Sequence, residues 1–80
     1  MVLLPTKHLR ADRSLLAVGA VILKHVKTPI AFSELWQKTR KDWERVRMTT
    51  LSYDVFLSAL SILYAMGAVE HEGGIIRRPG

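Results

Sequence analysis

Two adjacent glycines, Gly73 and Gly74, constrain this chain more than any other feature. With Glu72 they separate Ala68-Val69-Glu70-His71 from Ile75-Ile76-Arg77-Arg78. Paired glycines let successive residues take positive φ, which a tight hairpin turn needs, so the spacing predicts a C-terminal β-hairpin. An isolated hairpin is marginal in water and must pack on something. What precedes it is mostly helical in period, so the chain reads as mainly α with a small β-hairpin.

Leu15, Leu16, Val18, Val21, Ile22, Leu23 and Val26 recur at three to four and predict a first helix to about His25, with Asp12 or Ser14 as its cap. Gly19 inside it costs roughly 1 kcal/mol against alanine and suggests close helix packing. Pro29 breaks the helix and leaves room for a very short strand at Ile30-Ala31. Ser33 is the expected N-cap of a second helix, with Glu34 in its first turn and Phe32 as the preceding apolar residue. Phe32, Leu35, Trp36, Thr39, Trp43 and Val46 form one apolar stripe on it. Ser52 or Thr50 starts a third helix that ends at Gly67. Residues 1–12 lack a helical or strand period and contain Pro5, and read as an extended N-terminal arm. Arm, helix, short strand, helix, helix and hairpin is the order of a winged helix-turn-helix, three helices plus a wing, occupying residues 13–80.

Eighty residues make one domain that buries only roughly 60–65% of its unfolded surface. Without cysteine there is no disulfide framework and no thiolate zinc site, so stability comes from packing or from a partner. Met1–Leu4 lacks the length and order of a secretory signal, and the longest apolar stretch, Leu15–Leu23, falls short of the about 20 residues that span a bilayer. The expectation is a soluble cytoplasmic protein with no membrane contact.

Charge is distributed unevenly. The chain holds 12 lysines and arginines and a net charge of +5, yet none of the 12 lies between Met48 and Ile76. That interval contains the third helix, the recognition helix of a DNA-reading winged helix, which would present cations and amides to phosphates and base edges. Here Tyr53, Phe56, Leu57, Leu60, Leu63 and Tyr64 lie on one side, while Val55, Ala59, Ile62 and Met66 lie on another; only Asp54, Ser58 and Ser61 interrupt them. One core face needs a stripe about 100° wide. Either the arm and hairpin cover the second face, or it docks another protein, in which case the isolated chain aggregates or dimerises.

Lys38, Arg40, Lys41, Arg45 and Arg47, with Arg77 and Arg78 of the wing, are the nucleic-acid candidates, as backbone-positioning cations and not base readers. Asp42 and Glu44 interleave the run, and a solvated helix face is the commoner meaning of such a pattern. Lys7, His8, Arg10 and Arg13 form a second cluster in the arm, whose apolar residues favour docking over entry into a minor groove. His8, His25 and His71 lie far apart without cysteine or paired carboxylates, which argues against a metal site. Glu70 and Glu72 alternate to one strand face and His71 to the other. No nucleophile stands beside a base and no glycine-rich phosphate loop is present, so the chain reads as a non-enzyme without a cofactor.

Leu3-Leu4-Pro5-Thr6-Lys7-His8-Leu9, Arg13–Gly19 and Ser52–Glu70 resemble the small middle components of bacterial ABC three-component systems, the type-six group. The resemblance spans nearly the whole chain and is least distinctive over Lys38–Thr50. It implies a small winged-helix-like subunit that accompanies a large SMC/Rad50-like ATPase and an effector in an anti-phage or anti-plasmid defence complex. It supplies no catalytic residues. The expected function is an adaptor whose partner-binding residues are Leu4, Lys7, His8, Leu9, Val55, Ala59, Ile62 and Met66, with DNA contact and homodimerisation as open additions. The alternative from a different class is a winged-helix transcriptional regulator.

Overall fold

A computed structural model describes the backbone of residues 5–80 and the side chains of residues 15–80. Helices α1 (Pro5–His25), α2 (Phe32–Arg47) and α3 (Tyr53–Ala65) are joined by strand β1 (Ile30–Ala31) and followed by β2 (Glu70–Glu72) and β3 (Ile75–Arg77). The three strands form one antiparallel sheet in the order β1-β3-β2. This is the winged-helix order that the sequence predicts.

The hairpin turn is built as its glycines require. Glu72 pairs with Ile75 across a two-residue loop, and Gly73 and Gly74 both take positive φ, 58° and 79°. Ile76, paired with His71 on one side and buried Ile30 on the other, is the hairpin's buried residue and ties the wing to the helices. The core it joins contains Val18, Ile22, Val26, Leu35, Trp43, Phe56, Leu60, Leu63 and Val69. Around fully buried Phe56, the rings of Phe32, Trp36 and Tyr53 pack at centroid distances of 5.0 to 6.5 Å and fasten the start of α2 to the start of α3.

Helix α3 begins and ends on local signals. The Ser52 hydroxyl accepts from Val55 N–H at 3.1 Å. At the other end Gly67 takes φ 77°, the Ala68 N–H donates to Leu63 C=O at 2.8 Å and the Gly67 N–H to Tyr64 C=O at 3.0 Å, the paired bonds of a Schellman motif.

Four expectations are corrected. Residues 5–12 are not an extended arm but the first turns of α1, because proline at the first helical position lacks only a donor that would be unsatisfied there; residues 1–4 lie outside the described residues. Asp12 and Ser14 are therefore inside α1 and do not cap it. Ser33 does not cap α2: the cap is Ala31, and the Phe32 N–H donates instead to Gly74 C=O of the hairpin turn at 2.9 Å. Finally Val46 is exposed while Asp42 is buried, reversing their expected places on α2.

Gly19 is not forced by packing. A methyl group there would meet Leu63 at 3.6 Å, an ordinary contact. Met48, in contrast, is a solvent-exposed methionine held at φ 59° at the end of α2, a conformation that suits glycine. Gly19→Ala and Met48→Gly should each raise stability by about 1 kcal/mol, read as a higher midpoint in urea at unchanged slope.

Candidate docking groove and basic face

Helix α3 is divided lengthwise between core and solvent. Phe56, Ala59, Leu60 and Leu63 are buried, whereas Ile62 is 39% and Met66 70% exposed. The first helix supplies the opposite wall: Leu16, 69% exposed, lines with Leu15, Gly19, Ala20, Leu23, Ile62 and Met66 an apolar groove between α1 and α3. Ala59, expected on the partner face, is instead 1% exposed, packed into the core on the α1 side of α3, and forms part of the groove floor with Leu63. Val55 is half-buried against the core. The groove thus unites Ile62 and Met66 with Leu16 and Ala20, which sequence reasoning missed. The signal was present in Leu15–Leu23, a stretch with more apolar residues than one buried stripe requires.

Leu4 lies outside the described residues. Lys7, His8 and Leu9 fall in the first turns of α1, where only the backbone is described. A second apolar recess lies between α3 and the wing, lined by Phe32, Leu57, Leu60, Tyr64, Val69 and Ile76, with Ser61 and His71 as its polar members.

The candidate nucleic-acid residues are mostly engaged within the fold. Lys38 pairs with Glu34 at 3.4 Å. Arg40 pairs with Glu44 at 3.6 Å and donates to Gln37 at 2.9 Å. Arg47 lies over the Trp43 ring at 4.7 Å. On the wing, Arg77 sits between Glu70 and Glu72 at 3.3 and 3.4 Å. Arg78 donates to the carbonyls of Leu23 and Val26 at 2.7 and 2.9 Å, satisfying acceptors at the end of α1. Lys41 is exposed, and among the described residues no carboxylate lies within ion-pair distance of it.

The centre of the basic end is Asp42, a buried carboxylate on α2. Oδ2 is engaged by Lys24 and by His25 Nε2 at 3.0 Å, both from the last turn of α1, while Oδ1 accepts from Arg45 at 3.0 Å. The Lys24 ammonium holds the Asp42 carboxyl below the usual aspartate range; burial pushes the other way, and His25 and Arg45 add to the lowering. One carboxylate therefore joins α1 to α2 and gathers two permanent cations. Read along the sequence, Asp42 was one charge in an alternating run, because its partners on α1 lie 17 and 18 positions earlier. Among the described residues no cluster of three metal-ligating side chains is present, and no helix is long and apolar enough to cross a membrane.

Comparison with known families finds one model that covers nearly the whole chain: that of the ABC-three component (ABC-3C) system Middle Component 6 matches residues 4–77. No curated protein and no solved structure matches the chain significantly.

Because the folded state depresses the Asp42 pKa, the pair's contribution is present above the unfolded value of about 4 and is lost as pH falls through the lower folded value. Asp42→Asn should be less stable than the parent at pH 7, with the gap closing as pH falls below about 4; urea midpoints at a series of pH values measure it. A gap that stays constant to pH 2 would show that the Asp42 charge is not what couples α1 to α2.

Proposed function

The chain belongs to the ABC-3C system Middle Component 6 family and is a component of such a system, and on that premise we propose that it is a non-enzymatic adaptor. In this reading the α1–α3 groove docks a neighbouring subunit, the SMC/Rad50-like ATPase or the effector of a bacterial defence complex. One observation carries it: Leu16 and Ala20 of α1 face Ile62 and Met66, from the helix that would otherwise read bases and its C-cap, across an exposed groove without a charged side chain.

Two physical considerations support the assignment. Exposed apolar side chains gathered into one patch are retained where a partner buries them, and burial releases about 25 cal/mol for each Å² of apolar surface removed from water. The same groove also accommodates self-association at high concentration, so homodimerisation without the partner and heteromeric docking compete for one surface.

The second reading, a transcriptional regulator, requires α3 to contact base edges. Its exposed polar residues are Asp54, Ser58 and Ser61 beside Tyr53 and Tyr64, with no lysine, arginine, asparagine or glutamine. Bidentate recognition of guanine or adenine uses those absent side chains. A regulator would retain a specific DNA fragment against competitor DNA at moderate salt.

Ile62→Asp and Met66→Asp place a charge on the groove wall without opening the core. Each should leave the circular dichroism spectrum and melting cooperativity of the chain intact and reduce co-purification with the system's other components by at least tenfold. Undiminished recovery of the complex with both folded variants would remove the groove from the interface.

A further inference from the structure

We propose that the end of the molecule where α1, α2 and β3 meet is a binding face for the phosphate backbone of duplex nucleic acid, formed by Lys24, Lys27, Lys41, Arg45 and Arg78. The proposal does not rest on the adaptor reading, because it concerns a different surface with a different readout.

The first observation is how charge segregates once the ion pairs are drawn. Lys38 with Glu34 and Arg40 with Glu44 cancel on α2, and the wing's Arg77 is outnumbered by Glu70 and Glu72. At the end of α1 the balance is opposite. Lys24 and Arg45 share the one carboxylate of Asp42, and Arg78 is bound to the neutral carbonyls of Leu23 and Val26. Lys27 and Lys41 are exposed, and among the described residues no carboxylate lies within ion-pair distance of either. Lys24 and Arg45 thus flank the one buried acid, and Lys27 and Arg78 line a neighbouring recess with Arg77 and Glu70, a local excess of positive charge in a chain whose remaining described charges nearly balance.

The second observation is that three of these cations, Lys24, Arg45 and Arg78, are held in place by the fold. Asp42 orders Lys24 and Arg45, the α1 carbonyls order Arg78, and Lys41 and Arg45 are four apart on one side of α2. Like charges at that spacing repel, and an external anion relieves the repulsion. Lysine contributes three of the five. Protein interfaces are depleted of lysine at their centres, whereas neutralising phosphates is work for lysine and arginine alike. The chemistry therefore favours nucleic acid over an acidic protein segment, and contact without base readout.

The face differs from the run Lys38–Arg47 that the sequence suggests. It leaves out Lys38, Arg40 and Arg77, which are paired with carboxylates, and Arg47, which lies over Trp43, and adds Lys24 and Lys27 from the end of α1.

Fluorescence anisotropy with a labelled 20-base-pair duplex of arbitrary sequence tests it on the full chain. Binding should be detectable at 50 mM salt, with a log–log salt slope near −3 for about three phosphates neutralised. Lys27→Glu with Lys41→Glu should weaken binding at least tenfold and reduce the slope by about 2. Lys38→Glu with Arg40→Glu, an equal change in net charge at two cations already paired on α2, should leave the slope within 1 of the parent; circular dichroism establishes that both variants are folded. No binding by the parent at 50 mM salt, equal loss of slope in the two double variants, or polyglutamate bound as tightly as the duplex would each overturn the assignment.

Discussion

The structure depends on burying one side of α3 against α1. In an 80-residue chain without cysteine there is no covalent staple, and the core is assembled where Val18 and Ile22 of α1 and Phe56, Leu60 and Leu63 of α3 are brought together. Burying side chains of this size is worth about 1.5–3 kcal/mol each, against a net stability for small domains of only 5–15 kcal/mol. Committing that face of α3 to the core fixes which residues are left outside. The large ones are Tyr53, Ile62, Tyr64 and Met66, beside a first helix that itself leaves Leu16 uncovered.

The wing and the second helix follow from the same arrangement. Ile76 enters the core from the hairpin, and the Phe32 N–H reaches Gly74 C=O, so the turn that ends the sheet also satisfies the first amide of α2. Asp42 then fastens the middle of α2 to the last turn of α1. Positive charge is drawn to that end while the groove between α1 and α3 stays uncharged, and the molecule acquires two surfaces of opposite character. One is apolar and the other is positively charged.

Features governed by neighbours in sequence were legible in advance. Ser52 as a cap, Gly67 as a left-handed stop and the Gly73-Gly74 turn each act within a few residues, and the winged-helix order follows from them. Features governed by distant partners were not. Ser33 loses its capping role to Gly74, and Asp42 exchanges places with Val46 because Lys24 and His25 arrive from another helix. Arg78 is held by carbonyls 52 and 55 positions earlier. Of the candidate partner surface, the apolar excess on α3 was evident, but its other wall was concealed in the continuous apolar run of α1, where nothing local distinguishes exposed Leu16 from buried Val18 and Ile22.

The central claim is that the recognition-helix position has passed from base edges to a protein surface. Methyl NMR of the isotope-labelled chain, titrated with the other components of its system and separately with duplex DNA, addresses it most directly. The account predicts that Leu16, Ile62 and Met66 methyl signals shift or broaden with the protein components and stay fixed with DNA. Methyl signals of the α1–α3 groove that respond to DNA, or that stay unchanged while the protein components bind, would contradict it.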